Sequence, residues 1–184
     1  WYERISAVVT FFDQLGLMPG DHIVTVLQNR WEAATLHWAC QLAGLVITPI
    51  NWRSKAEEID YCVENSEAKA VIFEDVSARS ARASSETQSR LRIALDGAQN
   101  NEIDFTAMLA ADAPDALPRV SADAWSVMLY TSGTTARPKG VPRRQRAERA
   151  SAIAHVAQNQ YGYGERTLGV MPLYHTMGVR SLLS

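Results

Sequence analysis

The sequence predicts an α/β protein, a mainly parallel set of strands covered by helices. Two observations carry this. Apolar runs rich in Val and Ile recur at 21–27, 46–50 and 69–73, each too short to be a helix. Between them lie stretches with apolar residues at three- and four-residue spacing, over 30–43 and 54–65. Strand, helix, strand, helix, strand at this density is the pattern of a helix-covered parallel sheet. In order, Ile5, Val8, Val9, Phe12 and Leu15 predict an amphipathic helix over 1–15, ended by Gly16 and Pro19-Gly20. A strand follows at 21–27, then a helix at 30–43 closed by Gly44. After the strand at 46–50, Ser54 with Glu57 three residues on reads as a capping box for a helix to about Asn65. The third strand, 69–73, leads into a Ser-, Ala-, Arg- and Glu-rich stretch at 75–89 that reads as an exposed helix or loop. A strand at 91–95 and a short helix at 104–110 come next.

The next segment, A-D-A-P-D-A-L-P-R at 111–119, reads as a linker, because neither proline fits inside a regular element. The expected division is a first α/β subdomain over 1–110, the linker at 111–119, and the start of a second α/β portion over 120–184. In that last part a strand is predicted at 125–129, a helix at 148–158, a strand at 167–170 and a helix from 178.

Composition narrows the function. A formal net charge of −2 argues against a protein devoted to nucleic acid. Two cysteines without paired spacing, Cys40 and Cys62, suggest neither a disulfide framework nor a zinc site, and Cys40 reads as a small buried residue. No apolar run reaches membrane-spanning length and no signal peptide is visible, so the cytoplasm is the expected compartment. The chain opens at Trp1 inside an amphipathic pattern and reaches Ser184 within another, which reads as a piece of something longer.

The most informative stretch is Y-T-S-G-T-T-A-R-P-K-G, residues 130–140. An apolar run leads into five small or hydroxylated residues, Thr131, Ser132, Gly133, Thr134 and Thr135, and Lys139 follows. Small residues let backbone N–H groups approach oxyanions, hydroxyls add donors that rotate to fit, and a lysine brings a mobile positive charge. The composition suits a polyphosphate. It is not a Walker A loop: five residues after Gly133 stands Pro138, and Gly140 rather than Ser or Thr follows Lys139.

This loop resembles the signature of the adenylate-forming superfamily, T-S-G-T-T-G-x-P-K-G, shared by acyl- and aryl-CoA synthetases, luciferases and the adenylation domains of peptide synthetases. Thr131 to Thr135, Pro138, Lys139 and Gly140 match, and Ala136 stands where the family usually has glycine. Weaker matches agree in order and spacing: P-G-D-H-I-V-T-V-L-Q-N-R at 19–30, A-G-L-V-I-T-P-I-N-W-R at 43–53 and S-E-A-K-A-V-I-F at 66–73. The resemblance implies the N-terminal portion of such an enzyme. A carboxylate would attack the α-phosphate of Mg-ATP to give an acyl-adenylate and pyrophosphate, and the CoA thiol would then displace AMP. Thr131, Ser132, Gly133, Thr134, Thr135 and Lys139 are implied as the ATP phosphate site. The implied cofactors are ATP, Mg2+ and CoA. The family's acidic magnesium ligand, ribose-binding aspartate and C-terminal lysine are expected beyond Ser184, so this stretch alone is expected to be inactive.

His175, in M-P-L-Y-H-T-M-G at 171–178, matches the family's P-L-x-H segment. A lone histidine in such a turn is more often structural, but the family's order implies a place on the wall of the carboxylate pocket. The basic stretch 137–149 holds Arg137, Lys139, Arg143, Arg144, Arg146 and Arg149 against Glu148. It reads as a landing area for nucleotide phosphates, CoA or, in a rival case, RNA, and equally as a solvated helix face. Gly162, Gly164 and Gly169 do not make G-x-G-x-x-G, since Thr167 takes the third place and no strand precedes. The turn at 48–52 is a strand end that could approach a ligand. Trp31 and Trp38, seven apart, are expected in the core, and His22, His37 and His155 receive no role. Two other classes stay open: a non-catalytic nucleotide-binding or regulatory module, and a nucleic-acid binder using the basic stretch.

Overall fold

The structure, a computed structural model, describes residues 1–110, 112–131 and 137–184. Its centre is one sheet. The strands are β1 (His22–Val26), β2 (Val46–Pro49), β3 (Ala70–Phe73), β4 (Leu91–Ala94), β5 (Ile103–Asp104), β6 (Trp125–Thr131) and β7 (Lys139–Arg144). Their spatial order is β5-β4-β3-β1-β2-β6-β7. All neighbours run parallel except β6 and β7, which form an antiparallel pair.

The strands are apolar on both faces because both are covered. Along β1, Ile23 packs into one cluster while Val24 and Val26 join the other, and β3 alternates likewise, Ala70 and Ile72 against Val71 and Phe73. The first face is covered by α1 (Tyr2–Gln14), α2 (Trp31–Ala43) and α6 (Phe105–Leu109), whose Val8, Phe12, Leu36 and Met108 are fully buried. The second is covered by α3 (Ala56–Asn65) and α4 (Asp75–Ala83), through Ile59, Cys62, Val63, Ala78 and Ala81. Burying a side chain such as Phe12 or Phe73 contributes about 2–3 kcal/mol. A one-residue helical turn more of α2 is prevented by Gly44, whose φ of +78° closes the helix and where a Cβ would collide with the Val120 side chain.

The expected elements at 1–15, 21–27, 30–43, 46–50, 69–73, 91–95 and 125–129 are present within a residue or two of their expected ends. Several details differ. The N-cap of α3 is Lys55, not Ser54, and the reciprocal acid is Glu58, whose Oε2 accepts the Lys55 backbone N–H at 2.8 Å. The stretch 75–89 is two helices, α4 and α5 (Ser85–Gln88), and it is not merely exposed: Ala78, Ala81, Ser77, Ser84 and Thr87 are buried. No strand forms at 167–170; this backbone is instead held by one side chain, described below. β5 and β7 were not foreseen. β7 carries Pro142 and three charged residues, which only an edge strand tolerates, and it pairs on one side alone. Trp31 is 45% exposed rather than core: it caps the open end of α2, with the Arg4 guanidinium 4.7 Å from its ring centre. Trp38 is half-buried. Cys40 is fully buried.

The segment after residue 111 carries the chain back across the sheet. β6 pairs with β2 at Ile47 and Val127, so residues on both sides of 111–119 share one sheet. A buried pair fixes that junction: Ser126 Oγ donates to Gln41 Oε1 at 2.5 Å, and Gln41 Nε2 donates back to the Ser126 carbonyl at 3.3 Å. Beyond β7 come α7 (Gln145–Asn159) and α8 (Thr176–Leu183), whose Val179 reaches the first core cluster.

Candidate functional site

The described ends of the 130–140 stretch lie in β6 and β7, which pair as a hairpin. Thr131 ends β6 and Lys139 opens β7, and the two are register partners, so the hairpin mouth is defined by a hydroxyl facing an ammonium-bearing residue across one rung. Both are exposed. Ser132, Gly133, Thr134, Thr135 and Ala136 lie outside the described residues. Gly140 lies close against Met128, where a Cβ would be 2.9 Å from the sulfur. Lack of a side chain there lets the hairpin close just beyond Lys139.

A cleft of about 750 Å³ opens beside this hairpin. The end of β2 supplies Ile50 and Asn51, α3 supplies Tyr61 and Glu64, and the hairpin supplies Tyr130, Arg137 and Pro138. Tyr174 and His175 close it from the far end of the chain. The structure thus brings His175 and the shoulders of the loop to one cavity, although they are about forty residues apart in sequence. His175 is exposed and is the N-cap residue of α8, with its ring 4.6 Å from that of Tyr174. Asn51 is in a turn, its Oδ1 accepting the Arg53 N–H at 3.0 Å, and it borders the cleft as well.

Three contacts near the site come from residues that the sequence pattern did not single out. Tyr61 Oη donates to the Pro138 carbonyl at 2.8 Å. Tyr130 Oη donates to Asn65 Oδ1 at 2.8 Å, with the Cys62 carbonyl 3.3 Å from the same hydroxyl. Burial pushes the Tyr130 phenol well above its ordinary range, which keeps it protonated and donating. The third residue is Asn29, after β1. Its Nδ2 donates to the carbonyls of Gly169 (3.0 Å) and Met171 (2.9 Å), and its Oδ1 accepts the Leu173 N–H at 3.0 Å. One amide side chain so replaces the strand ladder expected at 167–170 and sets the entry to Tyr174 and His175. Tyr61 and Asn65 share one face of α3 by their four-residue spacing, but nothing in that spacing points to the hairpin they contact.

Within the basic stretch Arg143, Arg144 and Arg146 are engaged inside the fold, two of them in ion pairs. Arg143 Nε meets the buried carboxylate of Glu148 at 2.5 Å, and Arg146 pairs with Asp123 at 2.7 Å. Arg144 donates to the Asp123 carbonyl at 2.6 Å and lies 4.5 Å from the Trp125 ring centre. Burial raises the Glu148 carboxyl above its usual range, against the pull of Arg143 and Arg180. Half of this stretch is β7 rather than a helix face. Among the described residues no helix is long and apolar enough to cross a membrane, and no three His, Cys, Asp or Glu side chains gather to hold a metal ion.

A mainly parallel sheet covered by helices on both faces, with a cleft at the carboxyl ends of β2 and β6, is an α/β architecture of the kind that binds ligands at strand ends. The family model described as AMP-binding enzyme matches residues 1–184, and the chain belongs to that family. Among curated relatives, the sulfoacetate–CoA ligase of Cupriavidus necator is 30% identical over 89% of this chain and 32% of its own length. The 2-succinylbenzoate–CoA ligase of Bacillus velezensis is 30% identical over 90% of this chain and 32% of its own. The chain therefore spans about a third of the length of these relatives. In fold it is similar to acetoacetyl-CoA synthetase from Streptomyces lividans, with a TM-score of 0.87 and 22% identity over 99% of this chain and 31% of that one. A putative long-chain-fatty-acid CoA ligase from Rhodopseudomonas palustris gives a TM-score of 0.84 at 22% identity, over 98% and 46%.

Proposed function

We propose that the longer protein to which these residues belong is an ATP-dependent acid–thiol ligase acting on a fatty or aromatic carboxylic acid. A carboxylate oxygen attacks the α-phosphorus of ATP; the new O–P bond forms as the bond to the β-phosphate oxygen breaks, and pyrophosphate leaves. The sulfur of CoA then attacks the acyl carbonyl, the C–S bond forms, and AMP departs with the oxygen. The observation that supports this is the hairpin pairing Thr131 with Lys139, whose neighbours Tyr130 and Pro138 border a cleft together with His175, in a chain of the AMP-binding family.

In this reading Lys139 and the hydroxyls of Thr131, Ser132, Thr134 and Thr135, with the backbone at Gly133, hold the β- and γ-phosphates and steady the departing pyrophosphate. Their work is positioning and charge stabilisation. His175 shapes the pocket for the acid. Magnesium enters with the nucleotide phosphates, and no step is assigned to it here. CoA as the acceptor is supported by the names of the relatives. A nucleic-acid partner is disfavoured by the ion pairs that engage Arg143 and Arg146. We place the protein in the cytoplasm, where ATP and CoA are supplied, and regard residues 1–184 alone as inactive. We take residues 1–110 as a first α/β subdomain, 111–119 as the linker and 120–184 as the start of a second α/β portion, whose β6 and β7 join the same sheet.

The test is carboxylate-dependent ATP–pyrophosphate exchange by the uninterrupted gene product, across aliphatic and aromatic acids. Exchange that requires an acid and falls at least about 100-fold in Lys139→Ala is the expected result, the order seen when a preorganised charge donor is removed. ATP binding by folded protein without exchange for any acid would instead favour a non-catalytic nucleotide-binding module.

A further inference from the structure

We propose that α3 is a strut that sets the positions of Thr131 and Lys139 at the two shoulders of the β6–β7 hairpin, with Tyr61 and Asn65 as its positioning residues. This rests on the reading of 131–139 as the site of the ATP phosphates.

The hairpin has two shoulders, and α3 holds both. At the outgoing shoulder Tyr61 Oη donates to the carbonyl of Pro138, the residue just before Lys139, at 2.8 Å. Pro138 lacks an N–H, so its carbonyl is the one polar backbone group by which this position can be tethered. The Arg137 guanidinium lies 5.6 Å from the centre of the Tyr61 ring, a second contact of the same side chain with the same shoulder. At the incoming shoulder Tyr130, the residue before Thr131, donates to Asn65 Oδ1 at 2.8 Å. The two tyrosine rings meet edge to face, their centres 6.1 Å apart, and this contact ties the tethers together.

A strut must be fixed at its other side too. Asp60, next to Tyr61, accepts from Ser84 Oγ at 2.7 Å and from the Glu86 N–H at 2.9 Å, which anchors α3 to the start of α5. Ile59, Cys62 and Val63 bury the inner face of α3 against β1 and β3. The loop-facing residues therefore stand on an element with little freedom to shift. The position of Lys139 relative to Thr131 follows from α3 as well as from the single rung of the hairpin that joins them.

The proposal separates from a merely structural role by where the effect falls. Loss of a general packing contact lowers the melting temperature and leaves the two substrates' KM values to move together. Loss of a loop tether weakens ATP and spares the acid. The experiment uses Tyr61→Phe in the uninterrupted gene product, which keeps the ring and deletes only the hydroxyl. Two readouts are taken: amide hydrogen exchange in peptides covering 137–141, and KM for ATP and for the acid in pyrophosphate exchange. The expected result is exchange roughly fivefold faster at 137–141 but unaltered in β1 and β3, and a KM for ATP raised roughly fivefold with the acid KM unaltered, the order of one neutral hydrogen bond. Unaltered exchange at 137–141, or an unaltered KM for ATP in active enzyme, overturns the proposal. A wild-type protein without acid-dependent turnover would defeat the functional reading alone, since the hydrogen-exchange readout still decides the strut. Should Tyr61→Phe fail to fold, Tyr130→Phe removes the other tether and is judged by the same two readouts.

Discussion

His37 makes stability depend on pH in a way that can be calculated. It sits on α2, 3% exposed, with its ring edge-on to Trp38 at 6.0 Å, and its buried Nε2 has no hydrogen-bond partner among the described residues. Burial lowers its pKa from the ordinary 6.5 to about 4. The folded protein thus binds this proton less readily than the unfolded chain. Stability from His37 is complete above pH 6.5 and is lost as pH falls toward 4. At pH 4.5 the unfolded chain is protonated here and the folded protein is not, and linkage across that gap removes roughly 2–3 kcal/mol relative to pH 7.5. Other groups add to the profile, among them the Arg-paired carboxyls of Asp96 and Glu102, held below their usual range, whose stabilisation also falls with pH. Burial lowers His22 also, which acts in the same direction, while the raised Glu148 carboxyl acts in the opposite one. The assay is therefore a comparison: urea unfolding of the wild type and of His37→Leu at pH 7.5, 5.5 and 4.5. The substitution shifts both curves by a constant that carries no information. What matters is that the wild type loses about 1–2 M more in its midpoint than the variant over this range. Parallel profiles would refute the reasoning, because they would mean that His37 is solvated or partnered when charged.

Two further outcomes follow from single side chains. Arg30 pairs with Glu32, with Glu74 at 3.0 Å and with Asp96 at 2.7 Å, and Glu74 is only 2% exposed. Arg30→Met should cost about 3–5 kcal/mol in chemical denaturation by leaving a buried carboxylate unpaired, and a second change, Glu74→Gln, should recover part of it. Asn29→Ala should release the backbone at 169–173 and raise KM for the acid roughly fivefold, with KM for ATP little altered in pyrophosphate exchange.

The parts of the fold legible in the sequence are those whose physics is local. The runs at 21–27, 46–50 and 69–73 are strands because a sheet covered on both faces demands continuous apolar residues, and Gly44 marks a helix end by its own backbone. β7 was not legible, because K-G-V-P-R-R has no strand pattern and becomes a strand only by pairing with β6. The predicted strand at 167–170 failed for the converse reason. Its composition suits a strand, but its neighbour is the Asn29 amide and not another backbone. The same holds for the site. Thr131, Lys139 and His175 were marked by their motif, whereas Tyr61, Asn65 and Asn29 act through contacts some 65 to 144 residues away in the chain, which spacing alone does not encode.

The ion pairs at Arg30 bear on why the cleft lies where it does. In an open parallel sheet the usual ligand position is the crevice at the carboxyl ends of the strands where the winding reverses. Here the chain passes from β1 to β2 on one side and then returns to place β3 on the other, so that crevice lies between β1 and β3. Arg30 and the Gln28 N–H engage Glu74 there, Asp96 and Glu32 complete the cluster, and a smaller cavity of about 470 Å³ opens beside Arg30 and Arg53. Three carboxylates around one guanidinium leave that cluster with a net negative charge, which disfavours a polyphosphate beside it. The winding breaks a second time between β2 and β6, where the chain returns from the far edge of the sheet after β5. There the carboxyl ends of both strands border the 750 Å³ cleft, through Asn51 after β2 and Tyr130 in β6. The first crevice thus holds the Arg30–carboxylate cluster, whereas the second lies beside the shoulders of the β6–β7 hairpin, Tyr130 and Pro138, and it is there that the proposed phosphate site falls.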